Sequence, residues 1–279
     1  MKNRLKNKTT RNNFITYGVV ILIYIVMQIL TASGSISSTM QGLLVPICAY
    51  VVMAISLNLT VGILGELSLG HAGFMSVGAF TGVTAAMALS GRVSSGIVCL
   101  IVGMVVGAVF AAIVGFLIGI PVLRLKGDYL AIVTLAFGEI IKGIFNNLYV
   151  GIDSNGLHMS LLSDKTDLAE GGKLIIGGPM GLTSIPRYST FTIGIILVII
   201  TLIVVFHLVS SRQGRAIMAV RDNRIAAESI GVNITKYKLM AFTVSAALAG
   251  ASGTLFAMNY SIYSLPGLPS PAIIYITSS

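Results

Sequence analysis

The chain has 279 residues, of which 55% are hydrophobic and only 10% are charged, whereas soluble domains carry roughly 25% charged residues. Its formal net charge of +9 raises the question of nucleic-acid binding, but no stacking aromatic residues interleave with the basic ones, which argues against that class. With a mean hydropathy of +0.94, the composition excludes an ordinary soluble domain and predicts a polytopic membrane protein.

Four long stretches contain no Asp, Glu, Lys or Arg. They run from Arg11 to Glu66, from Arg92 to Arg124, from Arg187 to Arg212 and from Lys238 to the end. Each has room for the roughly 20 apolar residues of a spanning helix, and backbone in lipid must satisfy its own hydrogen bonds. The prediction is an all-α fold of about seven transmembrane helices, near 14–32, 43–63, 72–90, 96–120, 128–149, 189–210 and 238–259.

Most basic residues form three groups along the chain, and Arg92, Lys165, Lys173 and Arg187 are left in the loops between other spans. The three groups are the N-terminus 1–13, the pair Arg124 and Lys126, and the segment 211–237, which we call the charged segment. Seven crossings from an inside N-terminus place all three groups on one side, as the positive-inside rule requires. The sequence therefore predicts a multi-pass plasma-membrane protein with a cytoplasmic N-terminus and a transmembrane domain over 14–260.

Two titratable residues and a serine interrupt the apolar pattern between the second and third predicted spans. Glu66, Ser68 and His71 lie in a run that also holds three glycines, Gly65, Gly70 and Gly73. Ionisable residues at membrane depth are costly, and broken helices often hold substrates in transporters. The run predicts a broken or re-entrant element near 64–74 that contributes to a translocation pathway, with a short cytoplasmic turn as the alternative.

The fourth predicted span carries a row of small residues at every fourth position. The row consists of Gly103, Gly107, Ala111, Gly115 and Gly119. Such a row lets a neighbouring backbone approach closely, which favours helix packing in lipid. We expect packing rather than substrate binding from it.

Glu139 in the fifth predicted span is a further candidate for the translocation pathway. Lys142 follows one turn later, and an i, i+3 pair of opposite charge can neutralise itself. A self-satisfied helix pair is therefore the favoured alternative.

The loop 150–188 falls outside the membrane in this topology. It is longer than a simple connection, and long loops are often functional. Two interpretations stay open: a glycine-rich loop with little structure, or a platform for an extracytoplasmic partner.

The charged segment predicts one two-faced helix over 214–230, which Gly231 ends. At 100° per residue one side holds Ala216, Ala219, Val220, Ala226, Ala227 and Ile230, and another holds Arg221, Arg224 and Glu228. Such a helix packs on the bundle with one side and presents charge to a protein partner with the other. The alternative is an amphipathic helix on anionic lipid.

No constellation of catalytic residues occurs in the sequence. It contains neither a phosphate-binding loop of the Gly-x-x-x-x-Gly-Lys type nor a Gly-x-Gly-x-x-Gly fingerprint, and its three histidines lie far apart. We expect no catalytic residue, no metal site and no cofactor bound by this chain.

Five sequence blocks, in order, resemble the LivM-type subunit of the branched-chain amino-acid ABC permeases. They are LNLTVGILGELSLGHAGF (57–74, followed by 78–80), LRLKGDYLAIVTLAFGEI (123–140), GPMGL (178–182), GRAIMAVRDN (214–223, continuing to 233) and KLMAFTVSA (238–246). The resemblance covers about residues 40–260. The tail 261–279 does not resemble the further helices of the family, so we expect a truncated or frameshifted product.

The resemblance implies a permease subunit of an ATP-driven importer. Its partners would be a homologous permease subunit, two cytoplasmic ATP-binding subunits that hold ATP and Mg, and an extracytoplasmic substrate-binding protein. Coupling to the ATP-binding subunits would fall on Gly214, Arg215, Ala219, Arg221, Asp222, Arg224, Ala227, Glu228 and Gly231. A urea or short-amide importer and an ion-coupled secondary transporter are the alternatives.

Overall fold

The computed structural model describes residues 2–91, 93, 95–125, 127–153, 156–161, 173–183 and 185–259. The predictions about Arg92, Lys126 and the tail 261–279 therefore lie outside the described residues. The helices are α1 (Lys2–Ala32), α2 (Ser38–Asn58), α3 (His71–Ser90), α4 (Gly96–Val122), α5 (Asp128–Asn146), α6 (Phe191–Ser210), α7 (Arg212–Asp222), α8 (Arg224–Ser229) and α9 (Ile234–Ala257). A π-helix, Leu59–Leu64, continues α2, and a short 3-10 helix covers Gly178–Met180.

Six of these helices are long and apolar enough to cross a membrane. They are Phe14–Ala32, Ser38–Leu64, His71–Ser90, Gly96–Val122, Phe191–Ser210 and Ile234–Ala257. They confirm the predicted helical membrane fold. The remaining predicted crossing, 128–149, is α5, which carries Asp128, Glu139 and Lys142 and is not among the six.

Helix α5 runs parallel to α3, from the start of that helix to its middle. Its first turns lie beside the start of α3, where the Thr134 hydroxyl accepts a hydrogen bond of 3.1 Å from the Leu69 amide. Its last turn stacks Phe145 on Phe80, with ring centroids 4.2 Å apart. At 1.5 Å per residue its 19 residues extend about 28 Å. The start of α5 therefore lies beside the start of α3, whereas Leu148 and Val150, which follow α5, lie beside the second half of α3.

The centre of the bundle is formed by α3, α4 and α9. The five small residues of α4 are all buried and face these two neighbours. A side chain at Gly103 would meet α3, one at Gly119 would meet Leu239 and Phe242 of α9, and one at Gly107 would meet both. Across the same junction the Thr254 hydroxyl donates a hydrogen bond of 2.8 Å to the Gly78 carbonyl. Helix α1 is peripheral, since its apolar stretch has no buried residue.

A three-stranded antiparallel sheet occupies part of the loop 150–188, for which one interpretation expected little structure. Its strands are β1 (Leu148–Asp153), β2 (Gly156–Leu161) and β3 (Lys173–Gly177), in the order β2-β1-β3. Val150 and Ile176 are buried and belong to the same core cluster as Met87 and Cys99 of the helices. The sheet forms because these apolar residues pack onto the ends of α3 and α4, an effect of tertiary contact.

Candidate functional site

The helix that begins with α2 is interrupted before α3 starts. The π-helix Leu59–Leu64 ends at Gly65, whose φ of 78° lies in the left-handed region that favours glycine. Residues 65–70, here the connecting segment, then lead to His71 at the start of α3. π-Helical turns are rare and frequently occur at functional sites. The interruption covers 65–70, and the irregular helical geometry begins at residue 59. This connection fits both the predicted broken element near 64–74 and its alternative, a short turn between the second and third spans.

Glu66 of the connecting segment forms an ion pair with Lys238 of α9. The two side chains are only 14% and 8% exposed, respectively, and the Glu66 amide also donates to the Thr60 carbonyl at 3.2 Å. A buried charge without a partner would be strongly destabilising, and the pair removes that cost. Glu66 is thus neutralised by a residue that sequence reasoning did not connect with it.

A chain of buried hydroxyl groups and one imidazole joins α2, α3 and α9. His71 Nε2 lies 2.8 Å from the Ser56 hydroxyl, and the Thr60 hydroxyl donates to that of Ser245 at 2.9 Å. Ser245 in turn donates to the Ser56 carbonyl. We call Ser56, Thr60, Ser68, His71 and Ser245 the buried polar cluster.

Two atoms of the buried polar cluster are open to a further hydrogen bond. Ser68 Oγ and His71 Nδ1 are buried and have no partner among the described residues. Buried polar atoms are nearly always satisfied, and exceptions often mark a functional role. Each of these two atoms therefore has the capacity for one further hydrogen bond.

Glu139 does not join this cluster. Its side chain is 61% exposed on the outer face of α5, and its carboxylate lies 3.7 Å from the Lys142 ammonium group. Glu66, Ser68 and His71 thus lie within six consecutive residues, but Glu66 pairs with Lys238 and His71 with Ser56. Glu139 lies on a separate surface.

The charged segment forms two helices, so the prediction of one helix over 214–230 is wrong. The chain is extended at Asn223, with φ −153° and ψ 101°, and its side chain accepts a hydrogen bond of 3.0 Å from the Ala226 amide. Asn is among the best N-cap residues because its side chain satisfies an amide that a helix start leaves free. Gly231, with φ 84°, follows the end of α8 as predicted.

The break at Asn223 also changes which side chains are buried. Val220 and Ala227 are buried as expected, and Ile217, which the wheel missed, is fully buried. Ile225 and Ile230 are 81% and 77% exposed. Because the wheel assumed one uninterrupted helix, it wrongly places Ala226 and Ile230, which are both exposed, on the buried side.

The candidate coupling residues occupy both sides of α7 and α8. Gly214 is buried against the Leu208 and Val209 carbonyls, where no side chain would fit, and Arg215 donates to the Ser210 carbonyl at 3.1 Å. Arg215, Asp222, Arg224 and Glu228 are exposed, Arg221 is partly exposed and reaches the Gly62 carbonyl, and Ala219 is half-buried. The segment thus attaches by its apolar residues and presents its charges. Within the described residues, no group of three or more His, Cys, Asp or Glu could hold a metal ion.

Comparison with known proteins gives one family. The family described as "Branched-chain amino acid transport system / permease component" matches residues 39–278. The high-affinity branched-chain amino acid transport system permease protein LivM is 35% identical over 228 residues in Salmonella typhimurium and 37% identical over 228 residues in Escherichia coli. Each of these alignments covers 75% of this chain and 50% of the relative.

A shorter match concerns the autoinducer 2 import system permease protein LsrC of an Enterobacter species. It is 33% identical over 90 residues, which is 31% of this chain and 26% of the relative. The chain spans about half the length of the LivM proteins it matches. No solved structure matches.

Proposed function

Because the chain belongs to the family of branched-chain amino acid transport permease components, we propose that it is the permease subunit of an ATP-driven importer for amino acids of the Leu, Ile and Val type. The match over residues 39–278 carries this proposal. The six apolar helices and the permease relatives support a multi-pass protein of the bacterial inner membrane. Its reaction is transport, and the hydrolysis of ATP belongs to other subunits.

The charged segment is the proposed docking site for an ATP-binding subunit, one of the two cytoplasmic subunits that would hold ATP and Mg. It combines outward charges at Arg224 and Glu228 with two well-exposed isoleucines, Ile225 and Ile230. Aqueous exposure of such apolar side chains is unfavourable, and a protein interface with an apolar centre and a polar rim would cover them. This mixture favours protein docking over adsorption to lipid.

The interrupted element is the proposed part of the translocation pathway in this chain. Glu66, Ser68 and His71 lie within one short segment, and two of them have buried polar atoms open to a hydrogen bond. A broken helix with free polar groups matches the way in which transporters hold solutes.

Glu139 is proposed to face the homologous permease subunit. It lies about 17 Å along α5 from Asp128, and its side chain is exposed. Lys142 neutralises its charge, but ionisable side chains that face lipid at depth are still costly. A neighbouring subunit or a wetted seam beside it would remove that cost.

The orientation follows from the same assignment. The charged segment and Arg124 lie at one end of the bundle, which we propose is cytoplasmic together with the N-terminus, and the sheet lies at the other. The sheet is then the proposed contact for the extracytoplasmic substrate-binding protein.

Reconstitution tests the proposal directly. The chain, its permease partner and the ATP-binding subunits are placed in liposomes, and uptake of radiolabelled leucine is measured with the binding protein present. A hydrolysis-deficient ATP-binding subunit is the control, and it should abolish uptake. Uptake by this chain without any ATP-binding subunit would refute the proposed ATP-driven mechanism. Preference of the binding protein for urea over leucine would refute the proposed substrate class.

A further inference from the structure

Arg221 of α7 reaches across to the π-helix. Its Nη1 donates a hydrogen bond of 2.9 Å to the Gly62 carbonyl, while Nε and Nη2 donate to Asp222 Oδ1 at 3.0 Å and 2.9 Å. The carboxylate therefore holds the guanidinium group in the orientation that the contact with Gly62 requires. Cationic groups at the last carbonyls of a helix are also favourable for its dipole.

The turn at Gly65 is shaped to receive the same side chain. A Cβ atom at this position would lie 2.5 Å from Arg221 Cγ. The aliphatic part of Arg221 thus lies against the backbone at the end of the π-helix, and its charged end binds one turn earlier. Two separate contacts hold the arginine on this element.

A buried apolar contact supports the polar one. Ile217, one turn before Arg221 on α7, packs with Leu64 of the π-helix and Ala241 of α9, and all three are buried. The contact is non-directional, so it keeps α7 and the π-helix together without fixing their register. The hydrogen bonds of the Arg221 guanidinium group supply the directional part of the contact between α7 and the π-helix.

The other side of the same element is attached to α9. The Thr60 hydroxyl bonds to Ser245, and Glu66 pairs with Lys238. The π-helix therefore lies between the charged segment on one side and the buried polar cluster on the other.

We infer that Arg221 is a positioning residue that ties α7 to the π-helix, so that displacement of the charged segment moves the interrupted element and the polar cluster attached to it. The tie is a property of this chain. Its use in transport rests on the proposed function, which supplies the ATP-driven displacement.

Hydrogen exchange on the purified chain tests the tie without any partner. Arg221→Gln removes the positive charge and the planar guanidinium group with its several donors. Arg212→Gln makes the same substitution at the exposed start of α7 and is the control. Because the contact is half-exposed, its loss should speed amide exchange over 60–66 by about 2- to 5-fold. The control should leave exchange unchanged, and equal exchange in both variants would overturn the inference.

Arg221→Lys refines this test. Lysine keeps the charge but has no planar fork for Asp222 and Gly62. Exchange over 60–66 should lie between the unaltered protein and Arg221→Gln. If amide exchange over 60–66 in Arg221→Lys were as slow as in the unaltered protein, the planar guanidinium group would not be needed to orient the contact, and that part of the inference would be overturned.

Labelling in the assembled complex tests the functional part. Val61 is exposed, and Val61→Cys gives a maleimide site, since Cys48 and Cys99 are buried. Trapping the ATP-binding subunits with ADP and vanadate should change the labelling rate at least threefold, and Arg221→Gln should abolish the change while those subunits stay bound.

The possible results separate the two ideas. An unchanged response in Arg221→Gln, or loss of the ATP-binding subunits from that variant, would overturn the tie as a coupling element. Failure of the unaltered chain to bind ATP-binding subunits would instead refute the proposed function, and the exchange experiment would still decide the tie.

Discussion

Replacement of Gly107 by alanine should destabilise the bundle at the junction of α3, α4 and α9. The added Cβ would lie 2.7 Å from the Gly78 carbonyl oxygen and press on the Thr254 hydroxyl, which already donates to that carbonyl. Overpacking costs about 2 kcal/mol, and loss of the interhelical hydrogen bond adds about 0.6 kcal/mol. Alanine has a higher helix propensity than glycine, which offsets about 0.7 kcal/mol of this loss. The net loss is about 2 kcal/mol, equivalent to a fall in Tm of about 4–8 °C.

The assay is the Tm of detergent-purified protein, read from the monomer peak that survives heating. Gly143→Ala on α5 is the matched control, because a Cβ there meets nothing within 4 Å, and its Tm should stay within about 2 °C. A Gly107→Ala protein with unaltered Tm and normal yield would refute the claim that close backbone approach at this junction needs glycine.

Three further results are expected from substitutions in the charged segment and at the Glu66–Lys238 ion pair. Arg221→Glu combined with Arg224→Glu should lower ATP-driven uptake at least tenfold with normal membrane insertion, because one change breaks the tie to the π-helix and the other reverses the docking charge; unchanged uptake would contradict this. Lys238→Ala should cost about 3–5 kcal/mol because it leaves Glu66 buried without a partner, and Glu66→Gln in the same chain should restore much of the lost Tm; no rescue would argue against the ion pair. Asn223→Ala should cost about 1 kcal/mol and speed amide exchange in α8 selectively, whereas an unaffected α8 would show that its cap is unimportant.

The crossings and the small-residue row could be predicted from the sequence because each depends on local pattern. A stretch free of charge that is long enough to span a membrane is visible in the chain itself. The row from Gly103 to Gly119 is equally visible, and the structure places it against α3 and α9. The residues that pack against the row, such as Gly78 and Thr254, could not be predicted, because the period identifies one face of α4 and does not identify the helices that contact it.

The features that were missed depend on distant contacts or on one competing side chain. Glu66 and Lys238 are 172 positions apart, and no local spacing predicts their pairing. The break at Asn223 had a signal, because an asparagine before a short run of helix formers is a typical N-cap. The sheet also had one in Asn155-Gly156 between two apolar stretches, a dipeptide typical of hairpins.

One row of side chains explains how the charged segment and the buried polar cluster come to share a structural element. Ser56, Thr60 and Leu64 follow one another at intervals of four residues along α2 and the π-helix. Leu64 packs on Ile217 of α7, whereas Thr60 bonds to Ser245 and Ser56 to His71. The row extends about 12 Å, and all three of its members are buried. Since packed interiors have low compressibility and transmit strain, we expect a shift of α7 at Leu64 to alter the hydrogen bonds at Thr60 and Ser56.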